Sequence, residues 1–225
     1  MDLIREAQEI FDSCLKDFDA EEVPQDEYSS FRYPKWFPLM DFTVDRYEAK
    51  GYGHLFRMHT KTKMGMTLLT LSFMPDEGTD VPFLLIDLMT LGKKNTVFIE
   101  YYDCRKEKGA IPSLEAVKKR YDHIPDYPEK DHWYVHERSP YSLIKSSGKE
   151  GIEELRDMLK DSIAQYQKAA EDAGHKEENL EGLFAFRKRM IEEGNPSSST
   201  LNKVFGEEKA RDFFRTCVMP GKEKK

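Results

Sequence analysis

Between residues 42 and 102 the chain carries five short apolar runs divided only by tight turns, and this spacing limits the kind of sheet it can build. The runs are Phe42–Ala49, His54–Thr60, Met66–Phe73, Pro82–Met89 and Thr96–Tyr102. The breaks are Lys50-Gly51, Lys63–Gly65, Pro75–Thr79 and Leu91–Asn95. A parallel return needs a crossover of roughly a dozen residues, so these connections predict an antiparallel meander. The stretch Val81–Met89 is apolar at almost every position, as expected of a strand covered on both faces.

Helical patterns flank the meander. Leu3, Ile4, Ala7, Ile10, Phe11, Cys14, Leu15 and Phe18 predict an amphipathic opening helix over Leu3–Phe18. The link from Tyr28 to Pro38, with Phe31, Tyr33, Trp36 and Phe37, is too aromatic for a disordered linker and is expected to pack on the core. After the meander, Ser113 is a candidate cap for a helix over Leu114–Tyr121. Tyr127–Ser147 is mixed, with one more strand expected around Tyr141–Lys145. Helices are then predicted over Glu150–Ala173, Glu177–Glu193, Thr200–Phe205 and Glu207–Cys217, punctuated by Gly174 and Gly194-Asn195-Pro196. No repeat or boundary divides the chain, so residues 1–225 are read as one domain with a frayed tail over 220–225. The order predicts an α+β fold, a central antiparallel sheet flanked by helices on both faces.

Composition narrows the function. Of the residues 34% are charged and the net charge is −7, against nonspecific binding to nucleic acid. No apolar stretch is long enough to span a bilayer. The charged start Met-Asp-Leu-Ile-Arg-Glu-Ala is unlike a signal peptide, and three scattered cysteines form no disulfide framework, so a cytoplasmic monomer is expected. His132 and His136 are four residues apart beside Trp133 and Glu137, but no third ligand or His-Glu-x-x-His pattern accompanies them, and no metal site is expected. Glycine motifs for dinucleotides or nucleoside triphosphates and a Gly-x-Ser-x-Gly elbow are missing as well.

One charge interrupts the apolar run: Asp87. A buried carboxylate must be paired, hydrogen-bonded or protonated. Two readings stay open, a structural aspartate bonded to backbone N–H groups and an acid that holds a proton near neutral pH for catalysis.

Three short segments bear on that choice. The first holds Arg57-Met58-His59, Phe73-Met74-Pro75, Val81-Pro82-Phe83 and Ile86-Asp87. The second is Ser139–Leu143, with Ser139, Tyr141 and Leu143 alternating. The third holds Asn195, Thr200–Glu207 and Ala210–Phe214. In this order they resemble the ferredoxin-dependent bilin reductases, including the spacing from Pro75 to Asp87. The resemblance implies an α/β/α sandwich, with a biliverdin-like bilin between the sheet and the C-terminal helices. It implies reduction of that linear tetrapyrrole by single electrons from ferredoxin, with protein-supplied protons and no bound flavin or metal.

Under this resemblance Asp87 matches the proton-donating aspartate, and His59 a histidine of the proton network. Lys61 stands where the compared enzymes have a glutamate, and Thr70 where they have a histidine. A lysine supplies no neutral acid unless its pKa falls far, so Lys61 is either a propionate partner or a solvated charge. Arg57, Lys130, Arg138 and Lys145 are candidate cations for the propionates. Asn195 matches a family asparagine or simply ends a helix, and Pro196 replaces the aspartate that follows it. Lys61, Lys63, Lys93 and Lys94 in the turns could form a basic rim for acidic ferredoxin, or protect sheet edges. The departures at Lys61 and Thr70 also fit a bilin-binding relative without catalysis, and a reductase of another open-chain tetrapyrrole, such as a chlorophyll catabolite, is a third possibility.

Overall fold

The computed structural model describes residues 2–221. Eight strands form one antiparallel sheet: β1 (Ala20–Glu22), β2 (Ser30–Tyr33), β3 (Met40–Ala49), β4 (Gly53–Thr62), β5 (Met66–Pro75), β6 (Phe83–Leu91), β7 (Lys94–Tyr102) and β8 (Leu143–Ser147). The order is β1-β3-β4-β5-β6-β7-β8, and β2 pairs with the opposite end of β3 from β1. The five expected meander strands are all present and each is joined to the next by a hairpin.

Side chains alternate across a strand, so each central strand feeds two cores. On one face Leu55, Leu71, Leu84, Ile86, Val97 and Ile99 meet the helices α1 (Leu3–Asp17), α2 (Pro112–Tyr121) and α3 (Ile152–Glu171). On the other, Phe42, Phe56, Met58, Phe83, Leu85 and Tyr102 meet α4 (Leu180–Glu192), α5 (Ser198–Phe205) and α6 (Glu207–Phe213). The fold is therefore the expected α+β sandwich. Phe213 is fully buried and its ring lies against Tyr28, Phe31, Phe56 and Phe205, fastening the C-terminal layer to the sheet. No helix among the described residues is long and apolar enough to cross a membrane.

Several boundaries differ from expectation. The opening helix ends at Asp17, capped at its start by Asp2, whose Oδ1 accepts from the Ile4 amide at 3.1 Å. The aromatic link contains β2, where Phe31 stacks on Phe42 at 4.4 Å, but Trp36 and Phe37 stay 98% and 67% exposed. The last sheet strand runs Leu143–Ser147, because Tyr141 turns into the α3-side core and packs on Tyr101 at 5.3 Å. The helix expected over Glu177–Glu193 begins as a tight turn, Glu177–Asn179, before α4. Residues 222–225 of the expected frayed tail lie outside the described residues.

Helix α4 lies against the chain just after β7. A Cβ on Gly182 would stand 2.0 Å from the Cys104 carbonyl oxygen, which is backbone and cannot swing aside. Alanine gains about 1 kcal/mol of helix propensity over glycine. Overpacking costs about 1–3 kcal/mol, and here it wins. Gly182→Ala should therefore lower stability by about 1–2 kcal/mol in urea unfolding; an alanine variant as stable as the parent or more so would refute this close approach.

Candidate active site

The register of three central strands builds the site. Asp87 in β6 sits opposite Thr70 of β5 and Phe98 of β7, on the face toward α4–α6. Thr70 Oγ1 donates to Asp87 Oδ1 at 2.5 Å. Asp87 is half-buried and lines a cavity of about 440 Å³, a volume suited to a small-molecule ligand. The sheet supplies the floor through Met58, Thr60, Thr70, Asp87 and Phe98. The chain from Tyr127 to Tyr134 and the start of α5, with Thr200 and Leu201, supply the walls. Burial pushes the Asp87 carboxyl up to about 6, against the opposing pull of the Thr70 hydrogen bond and the Arg138 charge. The partner found for the carboxylate is a side-chain hydroxyl, and the cavity lies beside it.

A second acid was not singled out by the sequence reading. Glu100 of β7 is 1% exposed and lines the same cavity. Its Oε1 accepts from the Tyr102 hydroxyl at 2.7 Å and from Arg138 Nε at 2.6 Å. Arg138 also forks onto Glu129, with Nη1 and Nη2 donating at 2.5 and 2.9 Å. Burial pushes Glu100 up to about 7, Arg138 opposes this, and the neighbouring Asp87 adds to it. For Arg138, burial works against the charge, but the Glu129 hydrogen bonds and Glu100 hold it above its ordinary range. The signal for Glu100 was available: like Asp87, it is a lone charge inside an apolar strand, Val97–Tyr102.

The other expected site residues divide between the faces. Lys130 and Arg138 line the cavity with Asp87 and Thr70. His59 does not. It pairs across β4 and β5 with Leu69, whose side chain belongs to the α1–α3 core, so His59 points away from Asp87. Its Nε2 is buried without a hydrogen-bond partner among the described residues, and burial, with Lys61 and Arg57 nearby, lowers its pKa. Lys61 and Arg57 share that face by the same alternation. Arg57 is bound to Asp45 at 2.8 Å and Asp12 at 2.6 Å, joining β4 to β3 and α1. These three placements correct the expectation of a shared pocket. The cavity-facing residues of β4 are Met58 and Thr60 instead. Lys145 has no exposed surface and is held by Asp126 at 2.7 Å, away from the cavity. Asn195 shapes the turn between α4 and α5: Nδ2 donates to the Met190 carbonyl and Oδ1 accepts from the Ser197 amide, each at 3.0 Å. Its neighbours Pro196 and Ser197 reach the cavity.

Neither a protein-family model nor a curated protein matches the sequence. Among solved structures, the fold is similar to a crystal structure of phytochromobilin synthase from tomato in complex with biliverdin. The TM-score is 0.76 at 15% identity, over 92% of this chain and 80% of that one. At this identity the likeness is one of fold.

The raised carboxyls make a stability prediction. A group whose pKa is higher folded than unfolded adds stability below its unfolded pKa and loses it as pH rises through the folded pKa. For Asp87 that window runs from about 4 to about 6, and a shift from 3.8 to about 6 is worth at most about 3 kcal/mol. Asp87→Asn keeps an acceptor for Thr70 and carries no charge. It should be more stable than the parent above pH 7, with the difference shrinking toward pH 4, in urea unfolding across pH. A constant difference would mean that Asp87 is ionised throughout.

Proposed function

We propose that this chain is a ferredoxin-dependent reductase of a linear tetrapyrrole, biliverdin or a close relative. The observation that carries the reading is Asp87, an acid with a pKa near 6 at the floor of a cavity between sheet and C-terminal helices. The frame is similar to one crystallised with biliverdin. Reduction of one double bond consumes two electrons and two protons. In this reading ferredoxin delivers the electrons singly, no resident flavin or metal is needed, and the protein's work is to hold the bilin and manage protons. A carboxyl with pKa near 6 is still about one-tenth protonated at pH 7, enough to donate and be recharged. Lys130 at the rim and Arg138 deeper in are the cations for the propionates. Arg138 is already forked onto Glu129, so a propionate must displace that carboxylate to reach it.

An acidic electron donor also has a surface to meet. The cavity residues Thr60, Leu68 and Met89 lie two positions from the strand ends Thr62, Met66 and Leu91, so the cavity reaches toward the hairpin tips at that end of the sheet. There Trp36, Phe37, Leu39, Met64 and Leu91 are exposed. The Lys63 amide donates to the Leu39 carbonyl, and Lys63 Nζ lies 4.5 Å from the Phe37 ring centre. Lys35, Lys93 and Lys94 are exposed around these residues. An apolar centre ringed by lysines, on a chain of net charge −7, suits an acidic protein partner. The placement of His59 on the opposite face of the sheet and Thr70 in place of a histidine favour one other reading, a bilin-binding relative that does not turn over.

The deciding experiment mixes the protein with biliverdin anaerobically and records absorption before and after ferredoxin with its reducing system. A shift on mixing followed by bleaching or a blue shift supports the reductase. A shift alone supports the binding relative, and no shift defeats both. Asp87→Asn should bind biliverdin within a few-fold of the parent and lose at least about 100-fold in turnover; full turnover would remove Asp87 from the mechanism. Lys63→Glu with Lys94→Glu should raise the KM for ferredoxin about tenfold at low salt and leave the bilin Kd unchanged. An unchanged KM would place ferredoxin elsewhere.

A further inference from the structure

We propose that Glu100 is the reserve acid of this cavity: it shares a proton with Asp87 and recharges it between the two proton transfers of one reduction. The sharing stands on the geometry alone, and the recharging rests on the function proposed above.

Placement comes first. Asp87 pairs with Phe98, and Glu100 is two residues further along β7, so the carboxyls lie diagonally on one sheet face. Diagonal neighbours are roughly 7–8 Å apart at Cα, within reach of long side chains. The contacts to Glu100 from the Tyr102 hydroxyl and from Arg138 Nε and Nη2 all fall on Oε1.

Charge count comes second. Three carboxyls line the cavity, Asp87, Glu100 and Glu129. One guanidinium faces them: Arg138, with its side chain 8% exposed, puts Nε and Nη2 on Glu100 Oε1 and both Nη atoms on Glu129, so its one charge is shared by two carboxyls. Lys130, the other lining cation, is exposed at the rim. His132 lies with its ring stacked on Tyr134, and Tyr127 and Tyr134 are the remaining titratable groups of that wall. From the helix side Pro196, Ser197, Thr200 and Leu201 contribute no charge. With the charge of Arg138 divided between Glu129 and Glu100, Asp87 and Glu100 are left with less than one compensating charge between them. Two buried carboxyls in that position do not both ionise in the neutral range; they titrate as a pair.

Exposure assigns the roles. Asp87 is half-buried at the cavity and Glu100 is covered, so Asp87 is the group that touches substrate and Glu100 acts through it. Each of two electrons comes from ferredoxin. With the first, Asp87 gives up the proton the pair shares. A proton from water refills the pair through Glu100, which hands it to Asp87, and Asp87 donates again with the second electron. One π bond is lost and two bonds to hydrogen form, and the pair then regains its shared proton from water.

Two measurements test this. With 13C-labelled Asp and Glu carboxyls, NMR of the ligand-free protein should show Asp87 and Glu100 titrating in two coupled steps between about pH 5 and 8. In Asp87→Asn the Glu100 midpoint should fall, because a neighbouring negative charge has been removed. A Glu100 that stays ionised across that range, or a midpoint indifferent to Asp87→Asn, overturns the sharing whatever the substrate proves to be. The second measurement is stopped-flow reduction of bound biliverdin. Glu100→Gln keeps an acceptor for Tyr102 and Arg138. It should leave the first electron step unchanged at saturating bilin, slow the second about tenfold or more, and reduce the pH profile to one ionisation; Glu100→Asp should restore it. Equal slowing of both steps, or of neither, overturns the recharging role. Should Glu100→Gln fail to fold, the titration of Glu100 in Asp87→Asn still decides the sharing. A protein that shows the coupled titration yet leaves biliverdin unreduced retains the pair and loses only the bilin reading.

Discussion

The register of β5, β6 and β7 is the constraint on which everything else depends. Thr70, Asp87 and Phe98 lie in one row across the sheet, and Glu100 lies diagonal to it. Both faces are covered, so the sheet has no polar side onto which a slipped strand could turn its charges. A slip of one residue in β6 would drive Asp87 into the layer of Leu84, Ile86 and Leu88 and bring those leucines and isoleucine into the cavity. The penalty for burying the carboxylate among aliphatic side chains enforces the register. The same apolar rows that stabilise the sheet thus fix the position of the acid to within one strand position, and the hydroxyl of Thr70 is delivered to it by the same pairing.

Electrostatics then decides what the cavity can do. Elsewhere ions are matched locally: Arg105 lies on Asp103 at 2.7 Å with each side chain 8% exposed, and the partly buried Arg57 is shared by Asp45 and the exposed Asp12. Such pairs balance charge locally and hold elements together. At the cavity the balance is deliberately incomplete in effect, with Arg138 committed to Glu129 and Glu100 while Asp87 has only a hydroxyl. Incomplete pairing of buried acids raises their pKa, and raised acids are what proton transfer at neutral pH requires. The site therefore costs stability above about pH 6, which the two large apolar cores offset.

The architecture was legible in the sequence because it rests on short-range signals. Unbroken apolar runs and short turns gave five neighbouring strands, and a lone charge in such a run gave Asp87. What the sequence did not disclose was parity between strands. Alternation within β4 puts His59, Arg57 and Lys61 on one face, but which face depends on the register of β4 against β5 and its neighbours, which the pattern of β4 alone does not carry. Resemblance by motif carried those residues to the site, and the register removed them. Glu100 differs: as a lone charge in the apolar run Val97–Tyr102 it carries the same local signal as Asp87, but no motif accompanies it. The edge strand Ala20–Glu22, with two glutamates and little apolar alternation, left no signal above that of a loop.

The cavity itself follows from where the second core ends. Phe83 and Leu85 on β6 are sealed: the Phe83 ring lies near Tyr102 and Phe186, and both residues belong to the core under α4 and α6. The next two residues on that face, Asp87 and Met89, are instead bordered by the 127–134 segment and the first turn of α5. Those walls meet the sheet through fewer aromatic contacts. Tyr127 touches Phe98 at 5.4 Å, and Trp133 is tied to Phe186 at 6.1 Å and, through its indole N–H, to the Gly194 carbonyl at 3.0 Å. Side-chain packing thus closes one half of the face and leaves the other open to a ligand. The segment that borders this opening also carries Glu129 and Lys130, the two charges that a carboxylate-bearing ligand must displace or meet as it enters. Under the proposed function, binding and proton supply are coupled through Arg138, because any group that takes its fork from Glu129 changes the charge facing Glu100 and Asp87.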